Sequence, residues 1–268
     1  MGNCRSAAYP WKGTAIRRSY RRVFKNARRR QRRHLVELDL TEQGMSFIIV
    51  QGDEANRALP GHFRDQHGIA FIHQGADRRR LRMTSVEAIA ARYLRELRSV
   101  RPEGPYILCG YSFGGIIAYE MAVRLRRQGH EVPLLILLDS YAPTLHIQAM
   151  DTDRRLHTRL KDVAFRSLSA PFLRADLRMP ARLHHHHIID TYDKAVRAYH
   201  PSAYGGDVLV LKAAEAWGPD DLGWSATTGG NYHVEVVPGD HYNVIREPNI
   251  GMVAEVIRTH LLRIGHRA

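Results

Sequence analysis

A serine enclosed by glycines constrains the fold of this chain more than any other feature. Ser112 lies in the sequence GYSFGG at residues 110–115, after the apolar run 106–109 and before an amphipathic run over 116–127. The first run predicts a buried strand and the second predicts a helix. A serine on such a strand-to-helix turn is typical of a nucleophile elbow. The alternative is a glycine-rich turn that has only a structural role.

The two glycines around the serine have a physical reason. Because the turn is so sharp, only residues without a Cβ fit at Gly110 and Gly114, and Ser112 is held in a strained conformation. This geometry lifts the Ser112 hydroxyl out of the sheet. It also places the backbone N–H of Phe113 where an oxyanion can be bound.

An acid follows the next apolar run. Residues 133–138 predict a fully buried parallel strand, which ends at Asp139. The carboxyl edge of such strands is where α/β folds place their sites. Asp139 is therefore a candidate acid of a Ser-His-Asp triad. A helix N-cap or a solvated strand end is the alternative.

One of the 16 histidines occupies the position that a general base needs. Residues 233–237 alternate like a strand, a turn follows, and a helical pattern covers 250–262. His241 thus lies on a loop that leaves the carboxyl end of a strand, which suits a general base. His233 and His260 fall inside periodic elements and are predicted to be packing or surface residues.

Several motifs together resemble a known family. They occur in one order over residues 45–264, and they are Gly104-Pro105-Tyr106, GYSFGG, Ala118-Tyr119-Glu120-Met121-Ala122, Leu138-Asp139-Ser140-Tyr141, the stretch 199–206, Gly223-Trp224, Pro238-Gly239-Asp240-His241-Tyr242 and Glu247-Pro248. With these motifs the chain resembles the thioesterase domains that end nonribosomal peptide and polyketide synthetases.

The resemblance implies a fold and a choice of acid. The fold is that of the α/β-hydrolases, a mostly parallel central sheet flanked by helices with a helical lid inserted. In that family the acid follows the strand after the nucleophile helix, which gives Asp139. Glu215 and Asp220, after the next strand at 208–212, are the alternatives, because many other α/β-hydrolases place the acid there.

The resemblance also implies a reaction. Ser112 would attack an acyl or peptidyl thioester on the phosphopantetheine of a carrier protein, and water or an internal nucleophile would release the chain by hydrolysis or cyclisation. No metal or dissociable cofactor is required. A carboxylesterase acting on free esters is one alternative. A weakly active, membrane-targeted effector that uses the hydrolase fold is the other.

The loop expected to complete the oxyanion site departs from the family pattern. Family members usually carry a Pro- and Gly-rich loop after the first core strand, and it supplies a second N–H. Here the strand 47–50 runs into Gln51-Gly52-Asp53-Glu54-Ala55, with one glycine and two acids. Asp53 N–H is the second donor that the resemblance implies.

Nearly all of the excess positive charge lies in the amino-terminal segment. Residues 1–34 hold 12 of the 40 Lys and Arg residues and no acid, whereas the rest of the chain holds 28 basic and 27 acidic residues. Self-repulsion predicts a disordered tail over residues 1–44, followed by the hydrolase domain over 45–268. The tail favours an anionic membrane surface as a partner. Nucleic acid is disfavoured, because no nucleic-acid fold accompanies the charge.

The first six residues add a lipidation signal. They fit the N-myristoylation pattern M-G-x-x-x-[ST], which makes Gly2 the acceptor, and Cys4 is a candidate for palmitoylation. One acyl chain anchors a protein only marginally, but a second chain or a basic patch completes the anchor. With neither a secretory signal nor an apolar run of 18 residues, the cytoplasm is the predicted compartment, with membrane association if the chain is lipidated. Two distant cysteines agree with a reducing environment.

Residues 141–203 are predicted to form the lid. The segment contains no convincing strand, and helical patterns cover 155–168 and 188–200. Tyr192 and Phe172 are the lid residues predicted to set the acyl-chain preference. The run His184–His187 inside this segment is interpreted as a solvated loop, because four consecutive histidines on a helix cannot all face one metal.

Overall fold

The computed structural model describes residues 35–38, 45–50, 59–63, 67–71, 79–153 and 156–265, and a seven-stranded sheet runs through them. The strands are β1 (Leu35–Leu38), β2 (Ser46–Val50), β3 (His67–Phe71), β4 (Tyr106–Tyr111), β5 (Leu134–Leu138), β6 (Val208–Ala213) and β7 (Tyr232–Val237). Their spatial order is β1-β3-β2-β4-β5-β6-β7. Only β1 runs antiparallel to its neighbour, which confirms the predicted mostly parallel sheet.

The winding of the sheet reverses between β2 and β4. From β2 the chain moves outward to β3, and it then returns to place β4 on the other side of β2. In parallel α/β sheets, ligands bind beside such a reversal, in the crevice at the carboxyl ends of the strands. Ser112 directly follows β4 and therefore lies at this position.

Helices cover both faces of the sheet. Helices α1 (Val86–Arg98) and α2 (Phe113–Arg127) pack on one face, and the carboxyl-terminal helix α6 (Asn249–Gly265) packs on the other. Along β4, Tyr106 and Leu108 face the first core and alternate with residues of the second. This burial on both faces explains why the central strands are continuous apolar runs in the sequence.

The predicted domain boundary at residue 45 is wrong for Leu35–Leu38. These four residues form β1 and pair with β3, with Leu35 opposite Phe71 and Leu38 opposite Gly68. A short strand carries too little periodicity to stand out behind a basic segment. Gly2 and Cys4 lie outside the described residues, as does Asp53.

Three helices form the insertion between β5 and β6. They are α3 (Pro143–Asp153), α4 (Leu156–Arg174) and α5 (Ala181–Ala198), and no described residue of the 141–203 segment belongs to a strand. The predicted helical insertion is thus confirmed in all three helices, although the sequence marks no separate helical pattern over α3. Across the described ranges, no helix is long and apolar enough to cross a membrane.

The interpretation of the histidine run as a solvated loop is wrong. The run belongs to α5, where the His184 side chain is buried. His186 stacks on Phe165 of α4 at 4.5 Å between ring centroids, and its Nε2 lies 2.9 Å from Asp162 Oδ1. The run is therefore packed against α4 through His186 and is not a solvated loop. Within the described ranges, no group of three His, Cys, Asp or Glu side chains is arranged to hold a metal ion.

Candidate active site

The backbone at Ser112 has the strain that the elbow requires. Ser112 has φ 53° and ψ −128°, a region that residues with a side chain rarely adopt. It occupies the N-cap position of α2, yet its hydroxyl makes no capping hydrogen bond. A serine at an N-cap normally accepts a hydrogen bond from the first turn of the helix. The Ser112 hydroxyl is therefore available for chemistry.

Glycines allow the backbones to approach at this turn. A Cβ at Gly110 would lie 2.3 Å from the carbonyl oxygen of Gly114, so these two residues are in close backbone contact. A Cβ at Gly115 would lie 2.2 Å from Ser140 Oγ. The sequence pattern marks Gly110 and Gly114, whereas the requirement at Gly115 comes from a residue 25 positions away.

Gly115→Ala should therefore destabilise the protein, although alanine is the better helix former. We expect the free energy of unfolding to fall by about 1–3 kcal/mol, because the new methyl group overlaps buried Ser140. Gly251→Ala is the matched control on α6, where the nearest atom would be 3.5 Å away. That control should be neutral or stabilising by up to about 1 kcal/mol. Urea unfolding measures both, and equal stability of the two variants would contradict the steric argument.

Asp139 is held rigidly at the carboxyl end of β5. Its side chain is fully buried, its φ is 42°, and its N–H donates to Leu211 O at 2.7 Å. The carboxylate oxygen Oδ1 accepts a hydrogen bond from Ala213 N at 3.0 Å, and Oδ2 lies 2.6 Å from His241 Nδ1. Both oxygens are thus occupied, and the one near His241 has a fixed direction.

The alternative acids are placed elsewhere. Asp220 Oδ1 forms an ion pair with Lys212 Nζ at 2.9 Å, and the Asp220 side chain is 77% exposed. Glu215 is exposed as well. Of the three candidates that the sequence leaves open, the structure brings Asp139 to His241.

His241 is fixed by the loop after β7. Its ring stacks on Tyr111 with 5.0 Å between the centroids, and the Tyr111 hydroxyl donates to the His241 carbonyl oxygen. The loop is closed by Asp240, whose N–H donates to Asn243 Oδ1 at 2.7 Å. Because an ionised carboxylate only accepts hydrogen bonds, Asp139 fixes the proton on Nδ1. The Nε2 atom of His241 is then the nitrogen that can accept a proton.

The three predicted residues are connected through their neighbours. Ser112 N donates to Leu138 O at 3.1 Å, and Leu138 immediately precedes Asp139. Tyr111, which immediately precedes Ser112, is the residue that stacks on His241. The described contacts of Ser112 include no hydrogen bond from its hydroxyl to His241. Such bonds are often long in enzymes without substrate and shorten when the substrate is bound.

The lid contacts the residue that follows Ser112. Tyr192 of α5 stacks on Phe113 with 4.2 Å between ring centroids and 13° between the ring planes. Phe172 is half-buried on α4. No sequence pattern marks His146 of α3, which lies close enough to His241 to interact with it electrostatically. Burial lowers the pKa of His146, and Asp193 partly opposes this shift.

Two further groups lie close to Ser112 along the chain, the N–H of Phe113 and the thiol of Cys109. Phe113 is the first residue of α2, so its N–H is one of the four amides that a helix leaves without an internal partner, at the positive end of the helix dipole. Burial raises the pKa of the Cys109 thiol to about 12. Cys109 is buried and therefore stays protonated near neutral pH.

A family model described as "Thioesterase domain" matches residues 55–261. Among curated proteins, the non-reducing polyketide synthase crz7 of Cladonia metacorallifera is 29% identical over 212 residues, which cover 66% of this chain and 10% of that protein. Malpibaldin synthetase of Mortierella alpina is 27% identical over 205 residues, covering 71% of this chain and 4% of that protein. The chain therefore matches only a small part of these relatives.

Solved thioesterase structures share the fold. The NocB thioesterase domain, in covalent complex with a fluorophosphonate nocardicin G analog, superposes with a TM-score of 0.66 at 24% identity, over 85% of this chain and 99% of that chain. The RedJ thioesterase from the prodiginine pathway of Streptomyces coelicolor gives a TM-score of 0.61 at 23% identity, over 83% of this chain and 92% of that chain.

Proposed function

Since the chain belongs to the thioesterase domain family, we propose that it releases acyl or peptidyl chains from a phosphopantetheine thioester through an acyl-serine intermediate on Ser112. One observation carries this proposal. Buried Asp139 accepts a hydrogen bond from His241 Nδ1 at 2.6 Å, beside a strained serine that does not cap its helix. A merely structural serine in this place would be expected to cap α2.

The geometry supports a two-step reaction. As Ser112 Oγ attacks the thioester carbonyl, His241 Nε2 takes the hydroxyl proton, and Asp139 stabilises the imidazolium that forms. The carbonyl oxygen becomes an oxyanion, to which Phe113 N–H donates. His241 then gives its proton to the sulfur of the departing thiol, which leaves the acyl group on Ser112. No metal or dissociable cofactor takes part in this proposed scheme.

The second step removes the acyl group. His241 takes a proton from water, or from a nucleophile within the acyl chain, and that oxygen or nitrogen attacks the ester carbonyl. The C–O bond to Ser112 then breaks, and His241 returns the proton to Ser112 Oγ. Water gives a free acid, whereas an internal nucleophile gives a ring. A carrier protein would deliver the chain, in keeping with relatives that are polyketide and peptide synthetases.

Intact-protein mass analysis after incubation with a panel of acyl-thioester analogues tests the proposal. We expect a mass increase equal to one acyl group, located by peptide mapping on the peptide that contains Ser112. A parallel panel of free esters separates a thioesterase from a carboxylesterase. An adduct on another residue, or no adduct with any analogue, would refute the acyl-serine mechanism and favour a hydrolase fold that serves another purpose.

Tyr192→Ala should alter the acyl-chain preference more than it alters the fold. The stacked pair of Tyr192 and Phe113 places a lid side chain against the residue that follows Ser112, so its removal should open space at this end of the proposed acyl site. We expect the ratio of kcat/KM for long over short acyl thioesters to change by about tenfold, because even one methylene group of a substrate in an apolar pocket contributes about 1–3 kcal/mol to discrimination. Leu168→Ala is the control, since Leu168 is 59% exposed on α4. An unchanged ranking for Tyr192→Ala would count against a specificity role for the lid.

A further inference from the structure

A cavity lies between the lid helices α4 and α5 and the segment 80–84, apart from the candidate active site. It has a volume of about 440 Å³ and is enclosed by α4, α5 and the segment 80–84. Ser112, Asp139 and His241 do not line it. Thr191 does line it, whereas the next residue, Tyr192, stacks on Phe113. Cavities of this size hold small molecules.

The cavity has an excess of positive charge. Among the described residues that line it, four are cationic, Arg80, Arg166, Arg174 and Lys194, and one, Asp190, is a carboxylate. Asp190 Oδ1 accepts a hydrogen bond from Arg166 Nε at 3.1 Å, and Asp190 Oδ2 accepts one from Lys194 Nζ at 2.7 Å. A single negative charge is thus shared by two positive ones.

The other two arginines have no carboxylate partner among the described residues. Arg80 and Arg174 are both exposed at the cavity, and neither forms an ion pair there. Asp176 lies nearby, but its Oδ2 accepts a hydrogen bond from Arg82 at 3.0 Å, and its carbonyl oxygen accepts one from Arg79 at 2.8 Å. The segment is held to the lid by these contacts, while Arg80 remains available to a ligand.

A buried hydroxyl in the cavity lacks a partner. Ser169 of α4 is 3% exposed, lines the cavity, and its Oγ makes no hydrogen bond. An unpaired buried polar group is destabilising, and such groups are rare in folded proteins. His187 does not supply the partner, because both of its ring nitrogens contact other groups. Its Nε2 lies 3.4 Å from Leu81 N, and its Nδ1 lies 3.4 Å from Thr191 Oγ1. A ligand with oxygen atoms would satisfy Ser169.

We propose that this lid cavity binds the phosphate group of a small molecule, with Arg80 and Arg174 on its oxygens and Ser169 Oγ as a buried hydrogen-bond donor. Guanidinium groups match the geometry of phosphate, which they bind through two parallel hydrogen bonds. Leu81 and Leu173 line the cavity as well and would contact the rest of the ligand. The phosphate belongs either to a free metabolite or to the pantetheine arm of the substrate. The second source rests on the proposed function.

Isothermal titration calorimetry of the full chain at low salt tests the proposal with two probes, pyrophosphate and phosphopantetheine. We expect saturable binding with one site per chain. Combining Arg80→Gln with Arg174→Gln should weaken it at least about tenfold, since each hydrogen bond to a charged group contributes about 1.5–3 kcal/mol. Arg178→Gln is the matched control, an exposed arginine outside the cavity lining, and it should bind like the wild type.

Ser169→Ala distinguishes a ligand site from a structural hydroxyl. Because Ser169 Oγ is unpaired in the free protein, its removal should leave the melting temperature unchanged or raise it, yet weaken probe binding about fivefold. Binding of pyrophosphate indicates a free phosphorylated ligand, whereas binding of phosphopantetheine alone indicates the substrate arm. If neither probe saturates, or if the double variant matches Arg178→Gln, the proposal is overturned. These titrations do not depend on turnover, so the result stands whether or not Ser112 forms an acyl adduct.

Discussion

Replacing Ser112 by alanine is expected to lower the turnover of acyl thioesters by a factor of about 10⁵ or more, because the nucleophile of a covalent mechanism is lost. His241→Ala should lose activity to a similar extent, since both residues act in the same step. The fold should survive in Ser112→Ala, because the hydroxyl makes no capping hydrogen bond and serine already carries a Cβ at this positive φ, so alanine adds no backbone strain. Single-turnover kinetics with a soluble acyl thioester measures the loss, and urea unfolding measures the stability.

A second N-cap serine supplies the matched control. Ser85 begins α1, and its Oγ accepts a hydrogen bond from Ala88 N at 3.2 Å. Ser85→Ala should therefore lower the free energy of unfolding by about 1 kcal/mol and keep full turnover. Ser112→Ala is thus expected to lower turnover but not stability, whereas Ser85→Ala is expected to lower stability but not turnover. Retained turnover in Ser112→Ala would refute the assignment of the nucleophile.

The sequence predicts the sheet well because its central strands are buried on both faces. Runs such as 106–109 and 133–138 are continuous in apolar residues, and each becomes a strand within two residues of its predicted bounds. The elbow is predictable for a related reason, since strain at Ser112 demands nearby glycines. Both signals depend on neighbours along the chain, and such signals can be read locally.

Contacts between distant segments could not be predicted. The need for glycine at residue 115 arises from Ser140, and the orientation of His241 arises from Tyr111. The bounds of helix α3 could not be predicted, because it has no apolar stripe to mark one of its faces. The loop prediction for the histidine run was wrong for a different reason. Four identical residues show no period, and the contact of His186 with Phe165 joins two separate helices.

The choice of the acid shows where sequence reasoning ends. A position after a buried strand suits Asp139 for the role of the acid, but Glu215 and Asp220 also follow a buried strand. In the sequence, only the resemblance to the thioesterase family favours Asp139. The structure distinguishes them by one hydrogen bond, that between Asp139 Oδ2 and His241 Nδ1 at 2.6 Å. This contact spans 102 residues of the chain, and no local pattern encodes it.

Asp139→Asn should lower turnover by a factor of about 10⁴ with little change in the fold. The carboxamide oxygen can still accept the hydrogen bond from Ala213 N, so the amide NH₂ must face His241 Nδ1. That group donates, which moves the ring proton of His241 from Nδ1 to Nε2, and Nε2 can then no longer accept the proton of Ser112. Glu215→Gln and Asp220→Asn are the matched controls, because both side chains are exposed and neither contacts His241. Steady-state kinetics on one acyl thioester compares the three, and the controls should stay within about twofold of the wild type. An active Asp139→Asn together with an inactive Glu215→Gln or Asp220→Asn would transfer the acid role to the strand after the lid.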